Sequence, residues 1–319
     1  MKTMKFYNLF LIITLITFFT ACTKDDEINV DEEISESTDS NVKTEDQTDL
    51  NGQILLYKMN GEKLEKKIIY NVKGEDLAFQ KATGKHQEIW NLVKKIIPPT
   101  ERKNIAELLI FRGKYALVTG SVIELKPDLK EWKLCLAIDF AYIDGFNSGG
   151  TFQGTIIHEF AHVLSLNDTQ IDTDINWQKC KTYNIMEGCT YENSYLNKFY
   201  SAYWKSIDKE SREMKLDDFY EKYKDRFVSY YASSSPEEDF ADTFMYFVLN
   251  DKPKGKTIAE KKILSFYKSK QLTSIRDYIR KNGIKQKIEI EGAKQSIIQK
   301  NSHKTTTPIN TCSFHKTRH

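Results

Sequence analysis

Two histidines four residues apart, with a glutamate directly after the first, stand inside one of the most apolar stretches of this 319-residue chain, Ile156-Ile157-His158-Glu159-Phe160-Ala161-His162-Val163-Leu164. The run from Thr151 to about Asn167 has helical spacing, which puts positions 158 and 162 on one face. Its apolar residues require the helix to be buried. Two imidazoles and a carboxylate in such a helix need partners, because an uncompensated polar group in apolar surroundings is costly. One zinc ion satisfies both histidines. Glu159 then sits beside the metal and its open position, where it can take a proton from water.

A catalytic zinc uses three protein ligands and keeps one position open. One option for the third is Asp168, with Tyr183-Asn184-Ile185-Met186 as a methionine turn, but Ser165 stands where a glycine would let the helix end sharply. The stronger candidate is Glu238, in Pro236-Glu237-Glu238-Asp239-Phe240-Ala241-Asp242-Thr243-Phe244. Pro236 suits a first turn, and Ser233, Ser234 and Ser235 are candidate caps. Glu238 and Asp242 share a face, while Phe240, Phe244, Phe247 and Val248 give the helix a buried side. Glu238 as third ligand, with Asp242 bonded to the far nitrogen of a ligand histidine, satisfies both carboxylates. The plainer alternative is a capping and surface-charge role for this acidic turn. His86, near the start of another helix, is expected not to ligate.

The HEFAH motif, together with Phe227-Val228-Ser229-Tyr230-Tyr231-Ala232-Ser233-Ser234-Ser235-Pro236 and the acidic helix, resembles the zinc-binding metallopeptidases of Bacteroidetes. Many of these are lipoproteins described as substrate-import-associated zinc metallohydrolases, encoded near outer-membrane nutrient-import pairs. The wider similarity is to gluzincins, including the anthrax lethal factor catalytic domain, and it covers about residues 155–250. It implies a gluzincin-like zincin domain with one Zn2+, acting on a protein or peptide substrate. By position, His158, His162 and Glu238 match the ligands and Glu159 the base. Asp242 supports a ligand histidine where a glutamate is commoner. Tyr231 matches the catalytic tyrosine of lethal factor; Tyr230 competes, and in an extended segment the two rings would point to opposite sides. The non-enzymatic alternative is a surface accessory module that binds peptide or glycan for an importer.

The N-terminus agrees with an exported protein. Lys2 and Lys5 precede the apolar run Leu9 to Phe19, which is too short for a bilayer span and reads as a signal peptide over 1–21; an uncleaved anchor is the alternative. Phe19-Thr20-Ala21-Cys22 resembles a lipobox with Cys22 lipidated, and acyl chains on one cysteine can replace the removed segment as a membrane anchor. Lys24-Asp25-Asp26 resembles a surface-export signal, so the expected location is the cell-surface side of the outer membrane, with a nutrient-import complex as a candidate partner. Residues 23–50 hold eleven acidic and two basic residues and little that is apolar, so 22–50 reads as an acidic tether. Residues 51–300 read as the metallopeptidase domain, and 301–319, with His303, His315 and His319, as a tail. Cys180 and Cys189 would close a small loop as a disulfide, or remain thiols. The charge balance, 47 basic against 45 acidic residues, argues against nucleic acid as a partner.

The body reads as α+β. A hairpin around Asn60-Gly61 joins strands at 53–58 and 65–70, and a helix at 86–97 ends at Pro98-Pro99. Short strands follow around Gly113, then a strongly apolar strand at 132–140, expected to be an edge strand that pairs with substrate. After the key helix, residues 168–192 read as irregular. Helices are expected at 193–206, 216–225, 236–249, 257–270 and 272–282. A small N-terminal sheet thus precedes a mostly helical part, with the site at their seam.

Overall fold

The computed structural model describes residues 51–291. The signal, Cys22, the tether, and everything from residue 292 on lie outside the described residues. The chain begins with strands β1 (Gln53–Asn60) and β2 (Lys63–Ile69), then helices α1 (Gly74–Lys81), α2 (Thr83–Ile96) and the short α3 (Pro99–Arg102). Strands β3 (Ile105–Phe111), β4 (Gly120–Glu124) and β5 (Trp132–Ala137) follow, then α4 (Ile138–Ala141) and the long α5 (Thr151–Leu166). A small lobe holds β6 (Ile171–Asp172), β7 (Asn184–Ile185) and β8 (Gly188–Thr190). Helices close the chain: α6 (Tyr195–Tyr203), α7 (Asp208–Glu213), α8 (Leu216–Tyr223), α9 (Pro236–Leu249), α10 (Ile258–Phe266) and α11 (Lys270–Lys281). The architecture is α+β, a mixed N-terminal sheet followed by a largely helical region.

The main sheet has the order β2-β1-β3-β5-β4, with β3 and β5 parallel and the other pairs antiparallel. Gly61 turns the β1–β2 hairpin in a left-handed conformation, with φ of 59°. Side chains alternate across the sheet. Leu108, Ile110, Leu134 and Leu136 join the main core with Trp90, Ile157 and Phe160, while Leu109, Phe111, Cys135 and Ala137 form a smaller cluster.

The segment at 132–140 departs from expectation in two ways. The strand ends at Ala137, and β5 is not at the edge: β3 pairs along one side and β4 along the other. Every residue of β5 is buried. Its unbroken apolar run is the mark of a strand covered on both faces, whereas an edge strand is usually blunted by charge. The edge beside α5 belongs to β4.

The 168–192 stretch is more ordered than its composition suggests, with β8 central in a three-stranded sheet and Cys180 bonded to Cys189. Helices α1 and α7 have no counterpart in the sequence pattern; neither has a buried residue, so neither carries an apolar stripe to read. Among the described residues no helix is long and apolar enough to cross a membrane.

Candidate metal centre

Helix α5 is buried from Phe152 to Leu166, with His158, Glu159 and His162 wholly inaccessible. Its partner is α9, which starts on a well-formed cap. The Ser235 hydroxyl accepts the Glu238 N–H at 3.2 Å, and Pro236 occupies the first turn, where its missing N–H costs nothing. The cap therefore fixes the backbone of the residue that faces the histidines.

Three successive acidic residues in this turn go to three destinations. Glu237 accepts from the Tyr183 hydroxyl at 2.9 Å, tying the disulfide-closed lobe to α9. Glu238 reaches His158 and His162. Asp239 is fully buried, where it accepts from Trp204 Nε1 at 2.6 Å and from the Thr243 hydroxyl at 3.1 Å and ion-pairs with buried Lys262. Burial pushes the Asp239 carboxyl up and the Lys262 ammonium down, and each offsets the other's cost. A surface-charge role does not describe this turn.

His158 Nε2 lies 3.0 Å from Glu238 Oε2, His162 Nε2 lies 3.3 Å from the same oxygen, and the two Nε2 atoms are 3.1 Å apart. In a tetrahedral zinc site with bonds of about 2.0–2.1 Å, ligand atoms stand roughly 3.3 Å apart. The triangle of donors is thus close to the size one zinc ion requires. On its far side His158 Nδ1 bonds Asp242 Oδ1 at 2.7 Å, which leaves Nε2 to face the cluster. The electrostatics are those of imidazoles paired with carboxylates. Burial works against a charged imidazole, yet the bonds to Asp242 and Glu238 outweigh it and raise His158 well above its usual range. Burial likewise works against a charged Glu238, but His162 and His158 hold it well below the usual carboxylate range. His158-Glu159-x-x-His162 with Glu238 matches the HExxH-plus-glutamate zinc-binding motif of gluzincin type.

Asp168 is not part of this group, because α5 runs on to Leu166 and the Asp168 N–H bonds Leu129 O instead. His86 is buried elsewhere. Its Nδ1 accepts from the Tyr57 hydroxyl at 2.7 Å and its Nε2 donates to Phe79 O at 3.0 Å, while burial lowers its pKa to about 4.

The Tyr231 ring lies 5.8 Å from that of His158, centre to centre, and is half-buried. Tyr230 points elsewhere and donates to Asp217 at 2.6 Å. The two rings diverge, but not because the backbone is extended. Tyr230 is helical, and Tyr231–Ser233 form a 3-10 turn. Sequence reasoning also passes over Gly120. A Cβ there would come within 2.6 Å of Thr155 Cγ2 and 3.3 Å of Glu159 Cγ, so this glycine lets β4 lie against α5 beside Glu159. A lone glycine in a strand pattern is the signal that could have found it. Compared with protein-family models, curated proteins and solved structures, the chain matches none.

Proposed function

We propose that the protein is a zinc-dependent peptidase acting on extracellular or surface-bound proteins or peptides. The reading rests on three buried donors from α5 and α9 meeting at zinc-site spacing, with Glu159 on the same helix. His158, His162 and Glu238 would hold the ion. When bound, zinc supplies Lewis acidity, which eases deprotonation of water and polarises a carbonyl. Glu159 accepts the water's proton and passes it to the leaving amine. The Tyr231 hydroxyl donates to the oxyanion that develops on the substrate. Asp242 fixes the His158 ring. Among the described residues β4 is the last strand of the sheet on that side, and a terminal strand can pair with an extended peptide, which favours a chain over a compact small molecule.

Outer-membrane anchoring through Cys22, display at the cell surface and a link to nutrient import are part of the same proposal, supported by the lipobox-like N-terminus and the acidic tether. The decisive experiment is a substrate-profiling digest of a proteome-derived peptide library with wild type and Glu159→Gln. Wild type should cleave, the variant should be slower by about 100- to 10,000-fold, and both should carry zinc. His162→Ala should lose the metal. A wild-type protein that holds zinc and cleaves nothing would return the accessory-module reading.

A further inference from the structure

One buried side chain connects the carboxylate behind His158 to the turn that carries Tyr231. Asp242 divides its two oxygens: Oδ1 bonds His158 Nδ1 at 2.7 Å, and Oδ2 accepts from the Ser229 hydroxyl. The same Ser229 oxygen accepts the Ala232 N–H at 2.9 Å. Ser229 is only 8 % exposed. A serine suits this place because its hydroxyl donates and accepts at once. Its donation matters because the terminal torsion of an aspartate is soft and two-fold. With one oxygen held by Ser229, the other stays in line with the histidine. Its acceptance matters because a buried N–H left unpaired is costly.

The turn is gripped from its other side as well. Glu291 Oε2 accepts the Tyr230 N–H at 2.7 Å, and the Glu291 N–H donates to Val228 O at 3.1 Å. Within the turn the Ser233 N–H bonds Tyr230 O at 3.0 Å. Ser229 is therefore the point at which a clamped turn meets the metal-facing helices.

We propose that Ser229 is a positioning residue that joins the orientation of His158 to the placement of the Tyr231 ring, so that one hydroxyl tunes both zinc affinity and turnover. The turnover half rests on the peptidase reading; the affinity half does not. The test measures zinc affinity by chelator competition, and kcat and KM at saturating zinc, for Ser229→Ala, Asp242→Asn, Tyr231→Phe and the Ser229→Ala/Tyr231→Phe double variant. Ser229→Ala should weaken zinc binding on the order of 10-fold, in the direction of Asp242→Asn, since partners behind ligand histidines typically contribute 10- to 100-fold. Tyr231→Phe should leave zinc affinity unchanged. Ser229→Ala should also lower kcat with little change in KM, and that loss should disappear in the Tyr231→Phe background.

Ser229→Cys, of similar size with a weak donor, serves where the alanine protein does not fold. Ser229→Thr keeps the hydroxyl and should restore both properties. Wild-type zinc affinity in Ser229→Ala and Ser229→Cys overturns the proposal, whatever the peptidase assay gives. Fully independent kcat losses for Ser229→Ala and Tyr231→Phe overturn the link to the tyrosine. If wild type binds zinc and cleaves no peptide, the peptidase reading fails by itself, and the affinity measurement still decides the role of Ser229.

Discussion

Tyr231 and Tyr230 are the same residue type side by side, and their neighbours differ. The Tyr230 hydroxyl is engaged by Asp217, while the Tyr231 ring lies beside that of His158, tilted by 45°. A hydroxyl that helps only the transition state lowers kcat when removed and leaves ground-state binding alone. Tyr231→Phe should therefore turn over about 10- to 1000-fold more slowly, with KM and zinc content near wild type. Tyr230→Phe should stay close to wild-type activity. Steady-state kinetics with metal analysis checks this, and full activity in Tyr231→Phe, or the loss confined to Tyr230→Phe, would remove Tyr231 from the mechanism. The histidines and Glu238 were legible because polar groups that share one face of an apolar helix must meet a common partner once buried. Ser229 was not: its partner Asp242 is 13 residues away, and a serine before a turn has many ordinary uses.

Among the elements, β4 and α5 form one wall of the site, and Gly120 sets how closely they approach. Thr155, the residue its Cβ would strike, is β-branched and stiff. Relief must then come from movement of the strand or the helix. Gly120→Ala should cost about 1–3 kcal/mol, a fall in Tm of about 2–12 °C, and reduce activity by shifting Glu159 against the edge strand. A thermal melt and a kinetic assay test it; an alanine protein as stable and active as wild type would show that the contact has slack. Element types were mostly readable here, since α2, α5 and α9 carry apolar faces and sharp boundaries such as Pro98-Pro99 and Ser235-Pro236. Strand order was not, because the pairing of β5 between β3 and β4 is set by long-range partners that periodicity cannot name. The strands of the lobe at 171–190 were hidden for a related reason: two- and three-residue strands give too short a pattern to read, although the Cys180–Cys189 bridge that closes it was a candidate from the sequence.

At the scale of the whole molecule, the donors come from two helices, with His158 and Glu238 separated by 80 residues. Such a site scarcely exists in the unfolded chain, so an ion bound there stabilises the folded state by mass action. The fold does not depend on the ion alone. Helices α5 and α9 also meet through Phe160 and Phe244, whose ring centres are 6.4 Å apart, and through a continuous core. The expectation is therefore a folded but weakened apoprotein, unlike a zinc finger that unfolds without metal. At free zinc about a thousand times the dissociation constant, the ion contributes about 4 kcal/mol, and in a domain of this size that corresponds to about 8–16 °C in Tm. Chelation should lower the Tm by that order with the transition still cooperative, and added zinc should restore it. His162→Ala should melt at the same temperature with and without chelator. A wild-type Tm indifferent to chelation and to zinc would mean that the three donors hold no structural share of the ion, and the metal centre itself would have to be abandoned.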